Sequence, residues 1–153
     1  MPRSVCMIPA MIMPMTTVEL LEYELGQSAK QIDACIEGMA EEGFDAKCNP
    51  QAMSPREILE HLSEAYVAFA AAMKGEEHEW GSFSIPDKST ANVKSVFRDL
   101  RAKAASAALA SDDEKTAKAA YDYLIGHDNY HVAQLVLTRL QVEPGWDSYA
   151  IYG

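Results

Sequence analysis

Four stretches of this chain carry apolar residues at intervals of three and four, a periodicity that predicts four amphipathic α-helices. No stretch shows the strict alternation of apolar and polar residues that is typical of a half-buried strand. The first helix is predicted from about Thr16 to Ala40, with Gly43 as the stop signal just past its end. Four such helices with connections of modest length predict an all-α four-helix bundle.

Local signals place the other three helices. The tetrapeptide SPRE (54–57) combines an N-cap serine, a first-turn proline and a capping-box glutamate, and Gly75 is the stop signal of the helix that follows. A third helix is expected over about residues 89–110. A second capping-box pattern, SDDE (111–114), predicts the start of a last helix that ends near Leu140.

The charge and the cysteines limit the classes of protein to which this chain can belong. With 13 basic and 23 acidic residues the formal net charge is −10, which repels phosphate backbones, so no nucleic-acid partner is expected. No run of 18 apolar residues occurs, so no membrane partner is expected either. Cys6, Cys35 and Cys48 lack CxxC spacing, which favours reduced thiols and a cytoplasmic location over a disulfide scaffold or a cysteine zinc site.

The first fifteen residues, MPRSVCMIPAMIMPM, precede the first predicted helix. Their apolar run is similar to that of a secretory signal, but Pro9 and Pro14 interrupt it and no small-residue cleavage site follows. We therefore expect residues 1–15 to form an extended arm on the domain or on a partner subunit. Residues 16–153 are expected to form a single domain.

Two of the four histidines lie close together in the sequence HDNYH. His127 and His131 are four residues apart, so they fall on one face of the last predicted helix, in line with Leu124 and Leu135. A buried imidazole without a partner costs free energy, and one metal ion bound by both side chains would satisfy the pair. Taken alone, HxxxH is more often explained by hydrogen-bonded or partly exposed histidines.

A third histidine, His61, strengthens the metal interpretation. It lies at one edge of the apolar face of the second predicted helix, among small alanines, and a bundle can bring that edge against the last helix. Three histidines would hold a divalent ion and leave coordination positions open, as in catalytic zinc sites. Three imidazoles suit Zn, Ni, Fe or Co. The fourth histidine, His78, is predicted to be a solvated loop residue.

The sequence lacks the motifs of several other catalytic sites. A di-iron site needs Glu-x-x-His pairs on two helices, and the chain has none; GxSxG, HExxH and a glycine-rich phosphate loop are also absent from the sequence. The candidates to orient a ligand histidine or assist catalysis are the residues that flank the histidines, namely Glu57, Glu60, Glu64, Asp128 and Tyr130. Each carboxylate, taken singly, is more often a surface or capping residue than a catalytic one, so no catalytic residue is assigned.

The histidine within EILEHLSEAY, followed by HDNYHVAQL, resembles the DinB-like (DinB/YfiT) superfamily of bacterial four-helix proteins, over nearly the whole chain in helix order and length. The resemblance implies an up-down-down-up bundle, commonly dimeric, with a three-histidine site for one divalent metal ion, Zn or Ni first of all. The ligands would be His61, His127 and His131, and Gln134 would be structural or would support a ligand. Ala133 departs from the glycine that many members carry before that glutamine.

Relatives of that superfamily include thiol-dependent transferases and isomerases, a metal hydrolase and many proteins without an assigned activity. The resemblance therefore implies a metal-dependent enzyme that activates a low-molecular-weight thiol or a water for transfer to, or hydrolysis of, a small-molecule substrate. A homodimer is the expected assembly. The alternatives are a non-catalytic, stress-related dimer that holds a metal ion, and a bundle whose histidines bind no metal.

Overall fold

The structure is a computed structural model, and it describes residues 14–153. Over that range the fold is all-α and contains no strand, as predicted. The helices are α1 (Thr17–Ile36), α2 (Pro55–Lys74), α3 (Thr90–Leu109), α4 (Glu114–Ala120) and α5 (Gly126–Val142). A π-helical turn, Tyr121–Ile125, joins α4 to α5 without a break, so the two form the predicted last helix; short 3₁₀ turns lie at Glu41–Asp45 and Ser148–Tyr152.

The predicted N-terminal arm lies outside the described residues, apart from Pro14 and Met15, which are both exposed. Within the described range, none of the helices is both long and apolar enough to cross a membrane.

Side-chain caps fix where α1 and α2 begin. Thr16 caps α1 through a capping box with Glu19, in which the threonine side chain accepts from the Glu19 N–H and the glutamate accepts from the Thr16 N–H. Ser54 and Glu57 form the predicted box at the start of α2. Gly75 ends α2 with a φ of 75°, a left-handed conformation that glycine adopts without strain. Local sequence signals thus account for both ends of α2.

Two predicted boundaries are wrong. Helix α1 ends at Ile36 rather than near Ala40, and the predicted stop residue, Gly43, lies in the following 3₁₀ turn. The last helix is capped by Asp113, whose side chain accepts from the Thr116 N–H at 2.8 Å, and not by the first residue of SDDE. It then continues to Val142, close to the predicted end near Leu140.

Arg139 of α5 explains why α1 ends early. Its Nη1 donates to three carbonyl oxygens at the end of α1, those of Ala34, Cys35 and Glu37, at 2.8–3.0 Å. The last carbonyls of a helix have no partner within the helix, so a buried guanidinium supplies the hydrogen bonds that further helical turns would have supplied. The same guanidinium lies 4.6 Å from the ring centre of Trp146, which packs against the core.

One hydrophobic core is shared by all the helical segments. Its fully buried side chains include Ile32 and Ile36 of α1, Ile58, Leu59, Leu62 and Phe69 of α2, Val93 and Phe97 of α3, and Leu124 and Leu135 of the last helix. Burial of this apolar surface is the main favourable contribution to folding.

A buried polar cluster crosses this core, and we call it the Asp128 cluster: Ser28 of α1, Tyr66 of α2, Arg101 of α3 and Asp128 of α5. Oδ1 of Asp128 accepts from the Tyr66 hydroxyl at 2.5 Å. Oδ2 accepts from Ser28 Oγ at 3.0 Å and from Arg101 Nε and Nη2 at 3.0 and 2.8 Å. Burial raises the pKa of Asp128 from its ordinary value, and the four donors, two of them on a guanidinium, oppose that rise because they favour the charged carboxylate.

Replacing Arg101 with alanine is expected to lower the free energy of unfolding by about 3–5 kcal/mol, because the Asp128 carboxylate would stay buried without its cation. Urea unfolding followed by circular dichroism measures the loss. Arg98→Ala is the matched control on the same helix, since Arg98 pairs with Asp33 and Glu37 at the surface, where such pairs contribute at most about 1 kcal/mol. Equal losses in the two variants would contradict the role given to the Asp128 cluster.

Candidate metal centre

The three predicted histidines lie together in the structure. His61 comes from α2, and His127 and His131 come from α5. Each offers one ring nitrogen, and these three nitrogens all lie within 4.8 Å of one another. The ring centres are 4.8–5.1 Å apart. Side chains that are 66 residues apart in sequence therefore form one group that could hold a metal ion.

The spacing of the nitrogens fits a shared ion. Nε2 of His61 and Nε2 of His127 are 2.9 Å apart. Two imidazole nitrogens bound at about 2.1 Å to a tetrahedral ion lie about 3.4 Å apart, so small ring rotations would bring this pair to that distance. Only one of the two nitrogens can carry a proton at this separation, so the other presents its lone pair to the cluster.

Gln134 sets which nitrogen of His131 faces the cluster. Its side-chain oxygen lies 2.8 Å from His131 Nδ1. An amide oxygen only accepts hydrogen bonds, so Nδ1 must carry the proton and Nε2 is left with a free lone pair. Metal-binding histidines usually have a partner of this kind on their other nitrogen. Gln134, rather than a flanking carboxylate, therefore orients this ligand.

Burial keeps the α5 histidines in the neutral form that binds metals. His131 is only 3% exposed, and burial lowers its pKa to about 4, although the hydrogen bond with Gln134 opposes the change. Burial also lowers the pKa of His127, and the nearby His61 adds to that effect. A metal ion would not have to displace protons from these two side chains at neutral pH.

The flanking carboxylates proposed as helpers are held by other partners. Glu57 completes the cap of α2. Glu60 accepts from the Ile85 N–H at 2.8 Å and pairs with Lys88. Asp128 belongs to the Asp128 cluster, and none of its hydrogen bonds involves a ligand histidine.

The prediction for His78 is wrong, because this histidine is not solvated. Its Nε2 lies 3.1 Å from Glu64 Oε1, and the two side chains are 12% and 9% exposed. The same oxygen accepts from the Gly81 N–H at 2.6 Å and from the Phe83 N–H at 3.4 Å. Burial raises the pKa of Glu64, but these hydrogen bonds outweigh burial and the pKa is lowered. Glu64 therefore holds the loop between α2 and α3 (residues 75–89) against α2.

That loop places Trp80 beside the histidines, a contact that the sequence interpretation missed. The indole ring centre is 6.2 Å from that of His61, and the ring is stacked on Tyr123 with an angle of 4° between the planes. On the other helix the ring of Tyr130 meets the ring of His131 edge-on, 4.9 Å away. The histidine cluster thus has two aromatic neighbours: Trp80 from the loop after α2, beside His61, and Tyr130 from α5, beside His131.

The π-helical turn directly precedes His127. Here the Gly126 N–H donates to the carbonyl oxygen of Tyr121, five residues earlier, instead of four. A Cβ atom at Gly126 would lie 3.2 Å from that oxygen and 3.5 Å from the Tyr121 ring. The glycine therefore permits the turn, which inserts one residue ahead of the ligand pair; such turns are frequent at functional sites.

Acid should destabilise the metal-free protein through His131. Its pKa is about 4 in the folded chain against 6.5 for an ordinary histidine, so the folded state binds fewer protons between these values. The free energy of unfolding should then fall as the pH drops from 6.5 towards 4, by on the order of 2 kcal/mol. Urea unfolding of the metal-free wild type and of His131→Gln at several pH values tests this. The free energy of unfolding of His131→Gln should fall less over this pH range than that of the wild type. An identical pH dependence in the two proteins would refute the lowered pKa assigned to His131.

Alanine at Gly26 should stabilise the fold, whereas alanine at Gly126 should not. Gly26 lies within α1 and an added Cβ would meet nothing within 4 Å, so Gly26→Ala should stabilise the fold by about 0.5–1 kcal/mol. Gly126→Ala raises the helix propensity in the same way, but its added Cβ presses on the Tyr121 carbonyl oxygen. This contact should cancel the gain in stability and displace His127. Thermal unfolding of the two variants measures the difference. Similar stabilisation by both would show that the π turn tolerates a side chain.

No family model, no curated protein and no solved structure matches this chain significantly. The resemblance to the DinB-like superfamily therefore rests on the histidine motif and the order of the helices.

Proposed function

We propose that this chain is a metal-dependent enzyme with a DinB-like four-helix bundle, in the up-down-down-up arrangement, that activates a low-molecular-weight thiol or a water for transfer or hydrolysis. The observation that carries the proposal is the convergence of ring nitrogens from His61, His127 and His131. Among residues 14–153 this group comprises three ligands, which is the number that catalytic zinc sites use with a position left open.

The three imidazole donors suit Zn, Ni, Fe and Co alike, and the resemblance to the DinB-like superfamily favours Zn or Ni among them. A divalent ion held by three imidazoles lowers the pKa of a thiol or a water that binds it, and so supplies a nucleophile near neutral pH.

The chain's own residues would bind the ion and orient its ligands. The three histidines bind the ion, and Gln134 holds His131 in the tautomer whose Nε2 is free. Burial keeps the α5 histidines neutral at pH 7. Trp80 lies beside His61, with the two ring centres 6.2 Å apart. No carboxylate is given a catalytic part, because those near the histidines are engaged elsewhere.

The alternative is a non-catalytic, stress-related homodimer that holds a metal ion. Large apolar side chains that stay exposed on α1 and on the last helix favour the dimer: Leu20, Tyr23, Tyr121 and Leu137, each 49–60% exposed. A second copy could bury such a surface through a two-fold contact. A homodimer is also compatible with the enzyme, so the two proposals differ in turnover and not in assembly.

Elemental analysis tests the metal site. Protein purified without a His-tag or added metal should contain about one divalent ion per chain. His127→Ala should lose that ion, because two imidazoles hold a divalent ion far more weakly than three. His78→Ala is the control, since His78 contacts Glu64 and not the cluster, and it should keep the metal. Wild type without metal, or full metal content in His127→Ala, would overturn the proposed site.

A substrate screen tests the reaction. Metal-loaded protein is mixed with bacillithiol, mycothiol or glutathione and a model electrophile, and separately with ester and amide substrates. Turnover that disappears in His127→Ala would support the enzyme. No turnover with any thiol, ester or amide, from protein that holds its metal, would instead favour the non-catalytic dimer.

A further inference from the structure

Trp80 is held firmly and yet remains half exposed. Its ring is stacked on Tyr123 with ring centres 6.5 Å apart, and the ring of His78 meets it at 90°, 5.3 Å away. On a third side lies His61. Despite these contacts Trp80 is 51% exposed. A large aromatic side chain that is fixed in place but left open to solvent is typical of a binding surface.

The loop backbone around Trp80 is fixed by two glutamates that flank His61 in sequence. Glu64 accepts from the N–H of Gly81, the residue after Trp80, and Glu60 accepts from the N–H of Ile85. Lys88 at the end of the loop pairs with Glu60. Because these anchors come from the same helix as His61, the indole keeps its place relative to that ligand. The surface is therefore formed before any small molecule binds.

Tyr130 provides a second exposed ring at the cluster. It is 63% exposed, and its ring lies edge-on to that of His131 at 4.9 Å. Two of the three ligand histidines, His61 and His131, thus each have an exposed aromatic neighbour.

The charges beside Trp80 are negative. Glu76, Glu77 and Glu79 are all exposed on the same loop, within four residues of the indole. Lys88, the positive side chain at the loop's end, is paired with Glu60. Together with a net charge of −10, this arrangement repels anions from the approach to the histidines.

We infer that the metal centre takes a neutral or cationic small molecule with a planar aromatic group, which packs against Trp80 and Tyr130 while its donor atom reaches the ion. This inference rests on the proposed function, because the donor atom needs the ion. It adds the class of ligand: an aromatic ring is preferred to a saturated one, and a neutral molecule to an anion.

Three thiols separate these preferences: benzyl mercaptan, cyclohexylmethanethiol and 4-(mercaptomethyl)benzoate. The first two differ only in the ring, and the third adds one negative charge. Calorimetric titration of metal-loaded wild type should give about fivefold tighter binding of benzyl mercaptan than of the saturated thiol. The benzoate should bind about threefold more weakly than benzyl mercaptan at low salt, and added salt should reduce that difference.

Trp80→Leu tests the surface itself, since leucine keeps an apolar side chain but removes the ring. The variant should keep its metal and lose most of the aromatic preference. Tyr149→Leu is the control, because Tyr149 is a 76% exposed tyrosine in the C-terminal 3₁₀ turn, and it should keep the preference. The combined variant Glu76→Gln, Glu77→Gln and Glu79→Gln should bind the benzoate and benzyl mercaptan alike.

The outcomes distinguish this inference from the function on which it rests. Equal binding of the aromatic and saturated thiols by metal-loaded wild type would overturn the inference and leave the metal site intact. An unchanged preference for the aromatic thiol in Trp80→Leu would also overturn the inference. So would a Trp80→Leu variant in which only the oligomeric state changes, because that result would assign the exposed rings to a subunit contact. Wild type that holds no metal would overturn the proposed function and the inference together.

Discussion

The carboxylate of Asp128 is the point at which the helices of this protein are tied together. A charge buried among apolar side chains costs several kcal/mol unless every neighbouring donor is in place, and here the donors come from α1, α2 and α3. Asp128 lies on α5 between the two histidines of HDNYH, His127 and His131. Any shift of α5 along or around its axis would break hydrogen bonds to all three partner helices. The carboxylate that joins the helices therefore also sets where His127 and His131 lie.

Carboxylates around the histidines have structural tasks, and this shapes the chemistry the site could support. Glu60 and Glu64 hold the loop that carries Trp80, and Asp128 holds the helices. The histidine cluster is left with neutral nitrogen donors, one amide support from Gln134 and aromatic surroundings. Such a group has no negative ligand to neutralise an ion, so a bound ion would keep its full charge for the molecule that binds it.

The parts of the structure that local sequence determines could be predicted. The helices follow from apolar periodicity, the start and end of α2 from SPRE and Gly75, and the grouping of His127 with His131 from their spacing. The rest depends on partners remote in sequence. Arg139 ends α1 from about 100 residues away, and His78 is partly buried against Glu64. Nothing in the local sequence marks Asp128 as buried, because its partners lie on three other helices.

The π-helical turn makes the last helix behave as two helices with separate phases. One residue of an α-helix corresponds to a rotation of about 100° around the axis, so the extra residue in Tyr121–Ile125 resets which face of α5 meets the core relative to α4. Substitutions that alter the packing of α4 need not rotate the histidines with it. Such a phase break would let the start of the helix vary during evolution, for example to suit a different subunit contact, while the ligand geometry on α5 is retained.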